Sequence, residues 1–232
     1  GVQNGDNITG SYSTTAETNS PVGTYAIVAV LNDPDSKLVN YSVTTNNGTL
    51  TVTQALLSVT ADNKSRTYGA ANPTLTGTLI GVVNADNITA SYSTSADTNS
   101  PVGDYNIIAT LNDPDNKLPN YSVTTNNGTL SVTPASLTGT ADNKSRLYGQ
   151  MNPAFTVTYS GFVNGEDSSI VTGTLISGTT AETNSPVGTY PINGSGQRAP
   201  NYTTNCVDGT PSVLPASLLV QADDKSRVYG QT

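Results

Sequence analysis

The sequence has no histidine and no tryptophan, and only one cysteine, one methionine and two phenylalanines in 232 residues. Without histidine there is no imidazole acid or base, no histidine-dependent triad and no histidine metal ligand. The lone cysteine, Cys206, excludes an intrachain disulfide and a thiolate zinc site. Cations are scarce too. Nine Lys and Arg against seventeen Asp and Glu give a net charge of −8 and a pI near 4.2. That balance offers no basic patch for phosphates, which argues against nucleic acid or an anionic membrane as partner. No apolar run approaches the roughly 18 to 20 residues of a membrane-spanning helix, and no charged start with an apolar stretch behind it marks a signal peptide. Little conventional enzyme chemistry remains.

What the chain has instead is hydroxyls and amides: 37 Thr, 25 Asn and 24 Ser, with 21 Gly and 13 Pro. Thr, Tyr, Val and Ile favour strands, while Asn, Gly, Pro and Asp punctuate turns, so local preference points to an all-β chain with many short connections. At 34% hydrophobic residues it can fill only thin cores.

Laid against itself, the chain is a repeat. Ala61-Asp62-Asn63-Lys64-Ser65-Arg66-Thr67-Tyr68-Gly69 returns at Ala141–Gly149 and Ala222–Gly230, at offsets of 80 and 81. Ser20-Pro21-Val22-Gly23 returns at 100–103 and 185–188, and Asn40-Tyr41 at 120–121 and 201–202. The expected organisation is the C-terminal part of a module over 1–54, complete modules over 55–134 and 135–215, and the N-terminal start of a further module over 216–232. Such a chain reads as a window on a longer array. All nine cations fall in repeated slots: the Lys-x-Arg pairs 64/66, 144/146 and 225/227, and Lys37, Lys117 and Arg198. Features present once per module serve module folding or packing more often than catalysis.

Alternation gives the strands. In Tyr105–Leu111 against Tyr25–Leu31, the Tyr, Ile, Ala and Leu positions repeat while those between them vary, which is strand period with the repeating set facing the core. Asn47-Gly48, Asn127-Gly128 and Asp208-Gly209 read as two-residue hairpin turns. In that register Val43 faces Val52 and Thr45 faces Leu50, and Cys206, in the slot of Thr45 and Thr125, points inward. A first hairpin is expected from Leu57–Ala61 through Asp62–Ser65 to Arg66–Tyr68, with further strands at Thr74–Ile80 and Thr89–Thr94. About seven short strands per module suit a small sandwich of immunoglobulin type. The acids at the head of 164–171 keep open a β-grasp-like module with one short helix. Pro191 and Pro211 imply edge positions or shortened strands in the third copy. Pro134-Ala135, Gln54-Ala55 and Pro215-Ala216 are too short to be floppy linkers, so successive modules should abut end to end as a rod.

Together, Ala-Asp-Asn-Lys-Ser-Arg-x-Tyr-Gly, Asn72-Pro73 or Asn152-Pro153, Ser-Pro-Val-Gly-x-Tyr, Asn-Tyr and Gly-Thr-Leu resemble the MBG domain of the Tyr-Gly-x type over essentially the whole chain. The third copy departs from the pattern by an insertion around Leu175–Thr180 and a shortened stretch at Asn193–Pro200. The resemblance implies tandem modules of very large bacterial surface and secreted proteins, described as adhesins or haemagglutinin-like proteins. It implies no enzymatic activity and no set ligand.

Several residues invite a sharper reading. Asp33 and Asp35, and Asp113 and Asp115, place two carboxylates one residue apart, as calcium loops do. Asp-Pro-Asp is also an ordinary turn, later calcium ligands are missing, and the third copy has Gly194-Ser195-Gly196, so the turn reading leads. No cofactor is expected, with calcium at these aspartates as the alternative. Asp62, Asp142, Asp223 and Asp224 sit beside Lys and Arg, which favours hairpin charge pairs. Lys64, Lys144 and Lys225 lie in polar turns, unsuited to the apolar pocket that an isopeptide bond to Asn needs. Tyr68, Tyr148 and Tyr229 read as core or hairpin anchors ahead of glycan-stacking platforms.

The function expected is that of a non-catalytic spacer in an extracellular stalk, with neighbouring modules of the same chain as partners. The alternative is a row of weak sites for a host or community surface glycan or protein, multiplied by avidity. An enzyme built on Glu166-Asp167 is the remote third.

Overall fold

A computed structural model describes residues 1–173 and 176–232. In chain order the strands are β1 (Thr9–Ser13), β2 (Gly23–Asn32), β3 (Gly48–Val52), β4 (Ala55–Ala61), β5 (Lys64–Thr67), β6 (Gly77–Ile80), β7 (Thr89–Thr94), β8 (Gly103–Asn112), β9 (Tyr121–Asn126) and β10 (Gly128–Thr133). They continue as β11 (Ala135–Ala141), β12 (Ser145–Leu147), β13 (Val157–Ser160), β14 (Ile176–Gly178), β15 (Gly188–Thr189), β16 (Asn193–Ser195), β17 (Tyr202–Val207) and β18 (Ser212–Leu214). The only helical pieces among the described residues are 3-10 turns at Leu38–Asn40, Leu118–Asn120 and Ser168–Ile170. The protein is all-β. The segment considered for a short helix makes one such turn, with Asp167 accepting from the Ser169 amide at 2.8 Å.

The chain forms two compact units. One comprises Gly1–Ser65, Asn72–Ala96 and Asp104–Ser131; the other comprises Arg66–Ala71, Asp97–Gly103 and Val132–Thr232. The division does not follow the repeats, since two tips of the second repeat cluster with the third.

The second repeat carries seven strands, β4 to β10, in two sheets ordered β6-β4-β9 and β5-β10-β8-β7. Between them lies a thin core in which Val59 and Ala61 of β4 meet Ile107 and Ala109 of β8 and Leu130 of β10. A second cluster joins Leu57, Ile88 and Tyr121. Burying each Leu, Ile or Val there contributes about 1.5 to 3 kcal/mol. The alternation expected along β8 holds, with Ile107 and Ala109 buried and Asn106, Ile108 and Thr110 exposed.

Strand positions follow the sequence, but two pairings do not. Tyr121–Asn126 and Gly128–Thr133 form no hairpin: β9 runs parallel to β4, with Ala55 opposite Tyr121, while β10 belongs to the other sheet. The expected partners of Thr125 and Val123 across an Asn-Gly turn are therefore wrong, and so by repetition are Thr45 with Leu50 and Val43 with Val52. The first hairpin fails in the same way, since β4 and β5 also lie in different sheets. A local ribbon would leave one face of Leu130 wet, whereas splitting each pair between two layers closes both faces over a small supply of apolar side chains. Gly128 accordingly serves close approach. It has no left-handed φ, and a Cβ there would lie 2.5 Å from the Asp62 carbonyl oxygen. Gly209 stands in the same relation to Ala141, also at 2.5 Å.

In the third repeat the sheets are β13-β11-β17, β12-β18-β15 and β14-β16. β11 runs parallel to β17, with Gly139 opposite Cys206. Cys206 is exposed, which corrects the inward placement expected for it. Pro191 and Pro211 coincide with shortened strands: β15 has two residues, β18 three, and an isolated bridge joins Ile192 to Gly209. Of the insertion noted around Leu175–Thr180, Leu175 lies outside the described residues.

Residues 1–54 form one sheet, β1-β2-β3, the counterpart of β7-β8-β10. Tyr41–Asn46, the counterpart of β9, is not a strand. β9 takes its ladder from β4, and residues 1–54 contain no equivalent of β4.

Candidate functional site

The densest side-chain chemistry gathers where one repeat meets the next, and it is built from the repeated motifs. Each such place lies inside one of the two units.

In the second unit, Tyr68 of the second repeat is 6% exposed and lies edge-on to Tyr202 of the third, with ring centroids 5.7 Å apart and planes at 81°. Its hydroxyl donates to Glu166 Oε1 at 2.9 Å. The other oxygen, Oε2, accepts from the Tyr202 hydroxyl, which itself accepts from the Val163 amide at 3.0 Å. Glu166 is thus gripped by two phenols, one from each repeat. Burial pushes the Tyr202 hydroxyl up to about 12, and its hydrogen bond to the Glu166 carboxylate adds to the shift.

Gly69 brings the backbone close. Its φ is +80°, and a Cβ there would lie 2.4 Å from Val163 Cγ2. Beside it, the Val102 amide of Ser-Pro-Val-Gly donates to Asn201 Oδ1 at 3.0 Å, and Asn164 Nδ2 donates to the Thr98 carbonyl at 3.1 Å. Asn164 and Asn201 have φ of 55° and 64°, a conformation that Asn tolerates better than most residues. Arg66, buried to 7% exposure, donates to the carbonyls of Thr67 and Asp97 and so ties the two tips together. Only Pro134 separates β10 from β11.

In the first unit the same motifs meet again. The Val22 amide donates to Asn120 Oδ1 at 2.9 Å, the Tyr121 hydroxyl donates to Asp86 Oδ2 at 2.7 Å, and Gln54 Nε2 donates to the Pro119 carbonyl at 3.2 Å. Burial raises the Tyr121 hydroxyl, and Asp86 reinforces it. Beside these contacts lies a cavity of about 460 Å³, lined by Thr18, Ser20, Val22, Val83, Asp86 and Tyr121 among others.

The singled-out residues fall into this frame unevenly. Tyr68 is an anchor, but of the joint, and it belongs to neither core cluster of its own repeat. Tyr148 is 48% exposed and Tyr229 wholly so. Asp33 and Asp113 accept from backbone amides of their turns, from Lys37 and Leu38 and from Lys117 and Leu118, at 2.7 to 2.9 Å. The Leu38 and Lys37 amides hold the Asp33 carboxyl below its usual value. Asp115 lines the cavity. Asp35 is exposed. No group of three or more His, Cys, Asp or Glu suited to a metal occurs among the described residues. Lys64 pairs with Asp62 and Lys225 with Asp223, both at 3.6 Å.

Sequence reasoning named Glu166 only for a helical turn and a remote enzyme reading, and missed its place in the clasp. Asp6, Asp86 and Glu166 recur at an offset of 80, and in each repeat this acid accepts from the tyrosine of Asn-Tyr. That conserved spacing between internal copies was the available signal.

Comparison with known proteins agrees with the repeats. The family model described as MBG domain (YGX type) matches residues 1–51, 57–131 and 137–211. No curated protein matches the chain.

Proposed function

The chain belongs to the MBG domain family of the YGX type, and we propose that it is a non-catalytic spacer segment of an extracellular, repetitive, adhesin-like surface protein. Its modules, 55–134 and 135–215 complete, with 1–54 and 216–232 belonging to others, stack end to end and hold a functional tip away from the cell. The observation that carries this reading is the clasp of Tyr68, Glu166 and Tyr202, reinforced by the Val102–Asn201 bond and a one-residue connection. The motifs that define the repeat are spent on joining repeats. Tyr68, buried in the joint, is not free to stack on a sugar, which favours the spacer at that joint, while Tyr148 and Tyr229 are exposed. Metal-free stiffness is part of the reading, since the aspartates near the turns are engaged by amides.

Small-angle scattering on the monomer peak of a size-exclusion column, with excess calcium and with chelator, tests it. The maximum dimension should match stacked modules and stay the same in both buffers. A compact or flexible particle that extends only with calcium would overturn it.

A further inference from the structure

We infer that the complete modules are built to carry tension along the chain, each with its opening and closing strands locked side by side in a clamp that a pulling force must shear.

The geometry is plainest in the third repeat, which lies inside the second unit. The repeat opens with β11 and β12 and closes with β17 and β18. β11 runs parallel to β17, from Ala135 opposite Tyr202 to Thr140 opposite Val207. β12 runs parallel to β18, from Ser145 opposite Ser212 to Leu147 opposite Leu214. Partners are 67 positions apart in both pairs, so the two stretches keep one register while passing from one sheet into the other. The Ala135 amide donates to the Asn201 carbonyl at 3.0 Å and the Tyr148 amide to the Leu214 carbonyl at 2.9 Å, which carries the ladder past both ends.

The parallel direction decides how this ladder meets a load. Tension along an array enters the module at Ala135, the leading end of the opening stretch, and leaves at Leu214, the trailing end of the closing one. In a parallel pair these are opposite ends, so the pull slides one stretch along the other. Evenly spaced bonds are then loaded together, whereas an antiparallel pair held at the same points would open one bond at a time. Forced unfolding is governed by the rate of unfolding and not by equilibrium stability, so a module with a thin core can still resist load. Buried side chains cover the ladder: β11 and β18 are each the middle strand of a sheet, and Leu137 and Val213 on them are at most 2% exposed.

Where the strands change sheet, a residue of the repeated motif spans the gap. Asn143 Oδ1 accepts from the Thr210 amide at 2.7 Å. The second repeat has the same arrangement within the first unit, with β4 parallel to β9 and Asn63 Oδ1 accepting from the Thr129 amide at 2.8 Å. The asparagine of Ala-Asp-Asn-Lys-Ser-Arg thus stitches the clamp at its weakest place.

The inference goes beyond the spacer reading and does not rest on it. A spacer needs its shape without load, which scattering reads, and a clamp needs resistance under load.

Single-molecule pulling on the full chain at one loading rate tests it, with handles on cysteines introduced in a Cys206→Ser background. Ser136→Cys with Pro215→Cys loads the two stretches in shear, and Ser136→Cys with Pro200→Cys pulls their leading ends apart. All three positions are exposed. The released length, set by the residues between the handles, identifies the event. The shear pair should yield at a severalfold higher force than the peeling pair. Asn143→Ala should lower the shear force and leave the peeling force unchanged, because peeling begins at Ala135. Equal forces in the two directions, a higher force in peeling, or an Asn143→Ala effect that is the same in both would each overturn the inference.

Discussion

Tyr68 and Glu166 are 98 positions apart and share a hydrogen bond of 2.9 Å that joins two successive repeats. Its strength comes from setting. The phenol is buried against Tyr202, and the acceptor is a carboxylate already held by a second phenol, so the bond is charge-assisted and shielded from water. Tyr68→Phe should cost about 1.5 to 3 kcal/mol, the range for bonds to a charged group. Tyr68→Ala should cost about 3 to 5 kcal/mol, since the ring contact goes as well. Tyr148→Phe, at a half-exposed position, should stay within about 0.5 kcal/mol. Urea unfolding of the full chain compares the three, and equal effects at Tyr68 and Tyr148 would refute a joint-specific role.

Gly69 and Gly149 separate conformational cost from contact cost. Their φ values are +80° and +84°, so alanine is strained at either. Only at Gly69 would the added methyl collide, 2.4 Å from Val163 Cγ2, while nothing lies within 4 Å at Gly149. Gly149→Ala should therefore cost on the order of 1 kcal/mol. Gly69→Ala should cost clearly more and should speed amide exchange at Val163 and Val102. Matched losses from thermal unfolding would show that the close approach is immaterial.

The Tyr202 hydroxyl, pushed up to about 12, sets an alkaline limit. A phenol whose folded value is raised above about 10 keeps its proton in the fold over a range where the unfolded chain has lost it. The stability it contributes is complete below about pH 10 and is lost as pH rises towards 12. Glu166→Gln removes the negative charge and should bring the Tyr202 titration down. Tyrosinate absorbance recorded against pH, with Tyr202→Phe to assign the step, reads both effects. An unchanged titration in Glu166→Gln would leave burial as the whole cause.

How much of this the sequence revealed depends on the range of the interaction. Period-two alternation in Tyr105–Leu111 set the strand and its inward face, because both are local. Asn127-Gly128 misled for the same reason. A dipeptide signal for a hairpin says nothing of a distant competitor, and here β4 offers Tyr121 a parallel ladder and a pocket beside Leu57 and Ile88. Cys206 is exposed although period two places it on the side of buried Tyr202, so alternation alone did not set its burial. Repetition marked Tyr68-Gly69, Ser-Pro-Val-Gly and Asn-Tyr as important. It could not say that they meet one another across a boundary, since a motif kept in every copy looks the same whether it packs within a repeat or between two.

The acid side of the pH profile rests on threonine. Asp142 accepts from Thr156 and from Thr158, and these hydroxyls, Thr156 first, hold its carboxyl below the usual value. Asp62, in the same slot, is lowered by Thr76 first and then by Lys64. A carboxyl depressed in the fold contributes stability that is present above its unfolded value, near 3.8, and is lost as pH falls through the folded value. Asp62 is exposed and Asp142 only half-buried, so the effect is small for each. Its origin is nevertheless separable, because a hydroxyl's hydrogen bond resists salt while a Coulomb attraction to Lys is screened. Thr156→Val should raise the Asp142 titration, followed by carboxyl NMR, at any ionic strength. Added salt should raise that of Asp62 more than that of Asp142. If salt moved the two aspartates alike and Thr156→Val moved neither, lysine and not threonine would be holding these turns.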